Sequence, residues 1–295
     1  MQNNTSDKIK QIVAMTIFGT IGLVRRYIPY PSSVIAFIRG AIGSLFLLLV
    51  HFIRRDKFDG PAIKKNIVLL CISGALIGAN WICLFEAYRY TSVSAATVCY
   101  YMAPVFVILV SPIVLKEAIT LKKGLCALVA VGGMILVSGV IETGLSGITG
   151  VLFGLAAAVM YAIVVILNKF IKDISANDRT LIQLAAAAIA ILPYVLLTEK
   201  GTVLDTSWFV LLMVAVAGIV HTGIAYSLYF GSMKGVPAQT LALLSYIDPI
   251  IAVLLSVVVL KEAMSLPAAI GVVLVIGATI VSEVQISRKK AAAEI

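Results

Sequence analysis

Charge is scarce in this chain of 295 residues: Asp, Glu, Lys and Arg together make up 13% of it, against roughly 25% in an ordinary soluble domain. That shortage excludes a water-soluble fold of the usual kind. The four cysteines, Cys71, Cys83, Cys99 and Cys126, form no CxxC pair and no Cys/His cluster. The spacing therefore argues against a disulfide framework or a metal centre, and no cofactor is implied. No GxxxxGKS/T, HExxH or GxSxG motif occurs, which leaves ATP-driven pumping, zinc proteolysis and serine hydrolysis without support. No carboxylates are paired at intramembrane-protease spacing, and no filter repeat or ring-forming charged segment points to a channel.

What the chain does have is apolar sequence, 61% of its residues, with a mean hydropathy of +1.08. A membrane-spanning helix needs about 20 mostly apolar residues. Runs bounded by charge or turn residues give ten spans, at 9–28, 32–53, 66–87, 93–115, 122–140, 150–168, 179–197, 208–230, 237–260 and 265–284. The first is the shortest clean run, and snorkelling of Arg25 and Arg26 extends it. The polar start, with Asp7, disfavours a cleaved signal or transit peptide. With both termini cytoplasmic, 17 of the 23 basic residues face that side and five the other, with Arg39 inside the second span. This asymmetry orients a multi-pass protein of the cell's inner membrane. The formal charge of +9 then reads as topology and contact with anionic lipid rather than as a nucleic-acid surface.

Sliding the chain against itself by 145 residues lays Ala87–Leu121 on Ser232–Leu266 without a gap. Tyr101 falls on Tyr246 and Pro104 on Pro249, and Val114-Leu115-Lys116-Glu117-Ala118 falls on the identical Val259-Leu260-Lys261-Glu262-Ala263. Two units follow, 1–145 and 146–295, each with five spans. Five is odd, so the second unit enters the membrane in the opposite sense. The expected fold is an all-α polytopic membrane protein of ten transmembrane helices in two inverted five-helix repeats around a central cavity, an arrangement suited to alternating access.

Ala87-Tyr88-Arg89-Tyr90-Thr91-Ser92-Val93-Ser94-Ala95-Ala96, followed by Met102-Ala103-Pro104-Val105-Phe106 and Leu115-Lys116-Glu117-Ala118, resembles the repeated signature of EamA-like proteins of the drug/metabolite transporter superfamily. Phe18-Gly19 and Arg39 fit the same pattern. The resemblance implies ten helices around a cavity and a carrier of small metabolites, often an exporter. The chain departs from the pattern in having Phe18 where the family commonly has Trp, and Tyr161-Ala162 in place of an aromatic-Gly pair.

An ionisable side chain near the bilayer centre costs several kcal/mol and is a functional candidate by default. Asp248 is central in its span and precedes Pro249. It is either a site for a substrate ammonium or a proton, or a carboxylate neutralised by burial or bonded to backbone that the proline frees. Arg39 suits a substrate carboxylate or phosphate; alternatively it gates, pairs with Asp248 or binds helix carbonyls. His221 is either a proton relay or a ring bonded to a nearby hydroxyl. Glu86 with Arg89, and Glu283, lie near span ends and read as interfacial. Asn80, Asn168, Gln183 and Gln239 suit interhelical bonds as well as substrate.

Trp81, Tyr101, Tyr226 and Tyr246 are deep enough to line a cavity for an aromatic or cationic substrate, or to pack. Tyr88, Tyr90 and Tyr229 read as an interfacial belt. Gly74 with Gly78 and Gly150 with Gly154 allow close helix approach. Pro104 and Pro249 read as shared kinks beside the pathway. The resulting expectation is a secondary-active exporter of amino acids or related amphipathic amines, with protons as the candidate coupling ion and the oligomeric state open. Uptake or facilitated diffusion of a cationic amine is the alternative within transport. A membrane enzyme or lipid-handling protein is the alternative from another class.

Overall fold

The computed structural model describes residues 5–91, 96, 99–137, 141, 147–259, 261 and 265–283. The outer ends of the fourth, fifth, ninth and tenth expected spans, Glu262 and Ala263 of the second repeat copy, and Arg288, Lys289 and Lys290 lie outside these residues. Among the described residues every regular element is helical, and the helices fall on all ten expected spans. They are α1 (Thr5–Gly19), α2 (Ile21–Arg25), α3 (Ser32–Arg54), α4 (Gly60–Tyr90), α5 (Ala103–Val114), α6 (Leu121–Val137), α7 (Ile148–Phe170) and α8 (Ala176–Thr198). There follow α9 (Trp208–Gly218), a π-helical segment (Ile219–Ile224), α10 (Ala225–Ser232), α11 (Ala238–Leu244), α12 (Ile247–Val258) and α13 (Leu266–Glu283).

Five of these rods, 32–54, 60–90, 148–170, 176–198 and the continuous 208–232, are long and apolar enough to cross a membrane. α4 begins six residues before the expected run because Asp59 caps it, accepting from the Ala62 N–H at 3.0 Å, and Pro61 follows in the first turn, where its missing N–H costs nothing. Polarity is arranged inside out relative to a soluble protein. Phe52, Ile113, Leu128, Leu197 and Val273 are exposed on the outer surface, whereas Gln11, Asn80, Asn168, Gln183 and Gln239 are buried. In hydrocarbon the polar groups must find partners within the protein; each of these side chains finds at least one, while Gln11 Nε2, Gln183 Oε1 and Gln239 Oε1 have none among the described residues. Gln183 Nε2 donates to Ser73 Oγ at 2.5 Å and to Asn168 Oδ1 at 3.1 Å, and Asn80 Nδ2 donates to the Ala157 carbonyl at 2.5 Å.

Three of the expected spans are interrupted, and a fourth, the eighth, stays continuous but is locally rewound. The first breaks at Thr20, between α1 and α2. Beyond it, Arg25 bonds the carbonyls of Ile28 at 2.6 Å and Tyr30 at 3.1 Å, so it ties down the chain reversal rather than extending a helix toward solvent. The eighth widens into the π segment. The fourth and ninth break at Tyr101-Met102 and Ser245-Tyr246, which are adjacent to or at equivalent places in the 145-residue alignment. Pro104 and Pro249 stand in the first turns of the helices that restart there. They mark helix restarts, where proline is tolerated, rather than bends in continuous helices.

Two close approaches fix the centre of the bundle. A Cβ on Gly74 of α4 would lie 2.5 Å from the Gln183 carbonyl oxygen of α8, and one on Gly19 would lie 2.5 Å from the carbonyl oxygen of Asp248. The missing side chains let α4 meet α8, and the end of α1 meet the restarted α12, backbone to backbone.

Candidate functional site

The interrupted helices converge on an internal cavity of about 160 Å³. That is the size of a void that holds one small organic molecule. α1 contributes Met15 and Phe18, α3 contributes Arg39, and α4 contributes Trp81 and Phe85. Tyr100, Tyr101 and Pro104 come from one break, Ser245 and Asp248 from the other, and Tyr161, Tyr226 and Tyr229 from α7 and α10. Six of the nine residues singled out from sequence as binding or gating candidates line it together: Arg39, Trp81, Tyr101, Pro104, Tyr226 and Asp248.

The aromatic wall is continuous. The Phe18 ring meets Tyr226 edge-on at 4.9 Å, and Trp81 meets Tyr226 at 6.1 Å. The hydroxyls of Tyr161 and Tyr229 are 2.5 Å apart, and Tyr100 lies 5.9 Å from Tyr161. Edge-to-face packing of this kind leaves ring faces, which carry partial negative charge, and phenol oxygens turned to the interior.

Two ionisable side chains sit in this wall. The Arg39 guanidinium carbon lies 5.3 Å from the Trp81 ring centroid, and Nε donates to the Thr222 hydroxyl at 3.1 Å. Asp248 lines the same cavity with no ion pair to Arg39; among the described residues the ion pairs join other groups. A guanidinium and a carboxyl group that line one cavity and are not paired with each other can, when both are charged, hold the two ends of a zwitterion by charge-assisted hydrogen bonds.

The remaining candidates sit elsewhere. His221 lies in the π segment, outside the cavity lining, with Nε2 2.8 Å from the Thr20 hydroxyl and Nδ1 3.2 Å from the Val216 carbonyl. Of its two sequence readings, the ring bonded to a hydroxyl describes this geometry. Tyr246 is fully buried behind the lining, and its hydroxyl donates to the Tyr101 carbonyl at 3.2 Å, so one break is bonded to the other. Pro249 is buried one residue beyond Asp248 and does not line the cavity. Glu86 and Arg89 form the expected pair at 3.0 Å, and Tyr90 is exposed at the end of α4.

Tyr229 is a correction. Expected in an interfacial belt, it is 2% exposed and lines the cavity. Its ring is covered by Phe18 of α1 and Tyr161 of α7, and its i+3 spacing from Tyr226 puts both rings on one face. That spacing was the available signal. Tyr161 was noted only as a departure from a family pattern, and Ser245 had no signal of its own.

Two larger volumes lie at the ends of the bundle. One, about 610 Å³, is lined by Ser33, Phe85, Glu86, Arg89, Tyr194 and Glu199 among others, and shares Phe85 with the central cavity. The other, about 470 Å³, is lined by Lys116, Glu117, Lys169, Lys172, Asp173 and Lys234 among others, and shares no lining residue with the centre.

Comparison with known proteins agrees with this architecture. The profile of the EamA-like transporter family matches residues 9–139 and, separately, 148–283. The uncharacterized transporter YxxF of Bacillus subtilis (strain 168) is 27% identical over 272 residues, covering 90% of this chain and 86% of its own. Protein PecM of Dickeya dadantii (strain 3937) is 30% identical over 222 residues, covering 72% of each. A solved protein crystal structure superposes with a TM-score of 0.82 at 21% identity, over 95% of this chain and 99% of its own, a likeness of fold.

Proposed function

This chain belongs to the EamA-like transporter family, and from that premise we propose that it is a secondary-active carrier of small zwitterionic or amphipathic amines, amino acids above all, working by alternating access as an exporter. Its relatives are membrane transporters rather than enzymes. The observation that carries the substrate class is that Arg39 and Asp248 line one aromatic cavity without forming an ion pair with each other. Arg39 takes the substrate carboxylate, and Asp248 takes the ammonium or a coupling proton. Trp81, Tyr101 and Tyr226 provide the ring faces against which the cationic end and side chain lie.

The two five-helix units, 1–145 and 146–295, are proposed as an inverted pair that rocks about this cavity. The equivalent breaks at Tyr101-Met102 and Ser245-Tyr246, joined by the Tyr246 hydroxyl bond, support that reading. Pro104 and Pro249, which let both helices restart at that level, are assigned to gating. His221 is proposed to help through its bond to Thr20, at the break between α1 and α2, rather than by contact with substrate. The lysine-lined volume supports a cytoplasmic assignment for its end of the bundle, and with it the reading of cytoplasmic termini and of a conformation open to the outside.

The test is solid-supported-membrane electrophysiology on proteoliposomes across an amino-acid and amine panel, with and without a pH gradient. Substrate-evoked current in the wild type that drops to background in Asp248→Asn is expected. Current indifferent to both Asp248→Asn and pH would sink the coupling role, and chemical conversion of a panel compound in detergent would sink the carrier reading.

A further inference from the structure

Arg39 reaches the cavity from α3, but the group that holds it lies behind the wall. Thr222 is fully buried and is not a lining residue. Its hydroxyl accepts from Arg39 Nε at 3.1 Å and donates to the Ala217 carbonyl at 2.8 Å. A hydroxyl has one proton to give. With that proton committed to Ala217, a lone pair is left to face the Nε–H.

The acceptor stands five residues back because 219–224 is wound as a π-helix. In an α-helix a threonine hydroxyl reaches a carbonyl three or four residues back, and such widened turns recur at functional positions. The neighbouring His221 does the same, with Nδ1 3.2 Å from Val216 O, so the wide turn is bonded along its length. On the cavity side the guanidinium is backed by the Trp81 ring, its carbon 5.3 Å from the centroid. Among the described residues no hydrogen bond uses Arg39 Nη1 or Nη2. A fork fixed at Nε and supported by an aromatic face keeps its end-on edge, Nη1 and Nη2, for a bidentate anion.

We propose that Thr222 is a positioning residue for carboxylate recognition: the π segment orders its hydroxyl, the hydroxyl orders Arg39, and Arg39 meets the substrate carboxylate. The proposal rests on the reading of Arg39 as the carboxylate site.

Thr222→Val removes the hydroxyl at nearly constant volume and Thr222→Ser keeps it. Uptake into proteoliposomes is measured for leucine and for its decarboxylated counterpart, 3-methylbutylamine. Thr222→Val is expected to raise the half-saturating leucine concentration roughly tenfold, the loss of one hydrogen bond to a charged group, while leaving the amine nearly unchanged. Thr222→Ser restores wild-type behaviour. A second readout needs no substrate. In a Trp208→Phe background Trp81 is the sole tryptophan, and Thr222→Val changes its emission because the guanidinium leaves its seat. Equal losses for both compounds, a serine variant no better than valine, or Trp81 emission unchanged would each overturn the proposal. Thr222→Ala takes the place of the valine variant if the latter does not fold. A wild type that moves neither compound counts against the substrate reading, and Trp81 emission then decides the role of Thr222 by itself.

Discussion

At the end of the bundle where α5 and α7 finish, charged side chains are bonded to main chain. The Glu117 carboxylate accepts from the Ala238 and Gln239 N–H groups at 3.0 and 3.4 Å. Lys169 Nζ donates to the carbonyls of Met233, at 2.6 Å, and Val236. Arg179 donates to those of Phe230 and Ile171 at 3.2 and 2.9 Å. At the opposite end, where α4 and α8 finish, the bonds around the larger volume join side chain to side chain, Arg89 and Tyr194 to Glu86 and Ser33 to Glu199 at 2.5 Å, and the main-chain bonds of Arg25 and Tyr30 hold only the neighbouring 25–30 and 205 segments. Bonds to backbone lock whole elements together, so the first end fixes α11 and the 233–237 turn against the ends of α5 and α7. Bonds between side chains shape a surface and leave the helices free to separate. The volumes agree: the central cavity adjoins the Glu199 end through Phe85 and has no lining residue in common with the Lys169 end.

Glu117→Ala is the substitution expected to break this contrast most. It leaves two N–H groups at the start of α11 without their acceptor, where a lost cap costs on the order of 1–2 kcal/mol. A fall in the detergent unfolding midpoint is expected. So is a change of access, read by introducing Ser245→Cys into the cavity wall after replacing the four native cysteines by Ser. An impermeant thiol reagent labels this site from the Glu199 end in the parent protein. With Glu117→Ala added, labelling from the Lys169 end rises several-fold; protection at that end as in the parent would mean Glu117 is not what closes it.

Glu117 stood out in the sequence, as part of an identical five-residue string repeated 145 positions on, but the bond it makes did not. Hydropathy defines spans, so α3, α7 and α8 begin and end within three residues of the expected 32–53, 150–168 and 179–197. It has no term for a helix that stops or rewinds inside the membrane, and two of these places are bonded to distant segments, Thr20 to His221 and the Tyr101 carbonyl to Tyr246. Depth in a span found Arg39, Trp81, Tyr101, Tyr226 and Asp248. It does not give azimuth, and Tyr246 and His221 are as deep as these yet point to neighbouring helices. Azimuth within α10 would have placed Tyr229 with Tyr226, had the helix end been read at Ser232.

Lys169→Met keeps the buried stem and removes the ammonium, leaving the Met233 and Val236 carbonyls without that donor. Because methionine fills the space, the cost is limited to hydrogen bonding, about 1 kcal/mol. The labelling assay is expected to show a smaller rise at the Lys169 end than Glu117→Ala gives. A rise as large or larger would transfer the main closing role from the glutamate to the lysine.

Arg89→Gln tests the other side of the comparison and carries the smallest expected effect. The Arg89 side chain is 67% exposed and its partner Glu86 13%, so the pair trades a solvated contact for solvent, and such pairs contribute little to stability. Glu86 keeps the Tyr194 hydroxyl as a donor, so no buried carboxylate is left bare. The unfolding midpoint and the Ser245→Cys labelling from both ends should match the parent within error. A large loss of labelling from the Glu199 end would show that this ion pair props the entrance open, and the distinction between an end locked through backbone and an end shaped by side chains would then fail at the end where it predicts least.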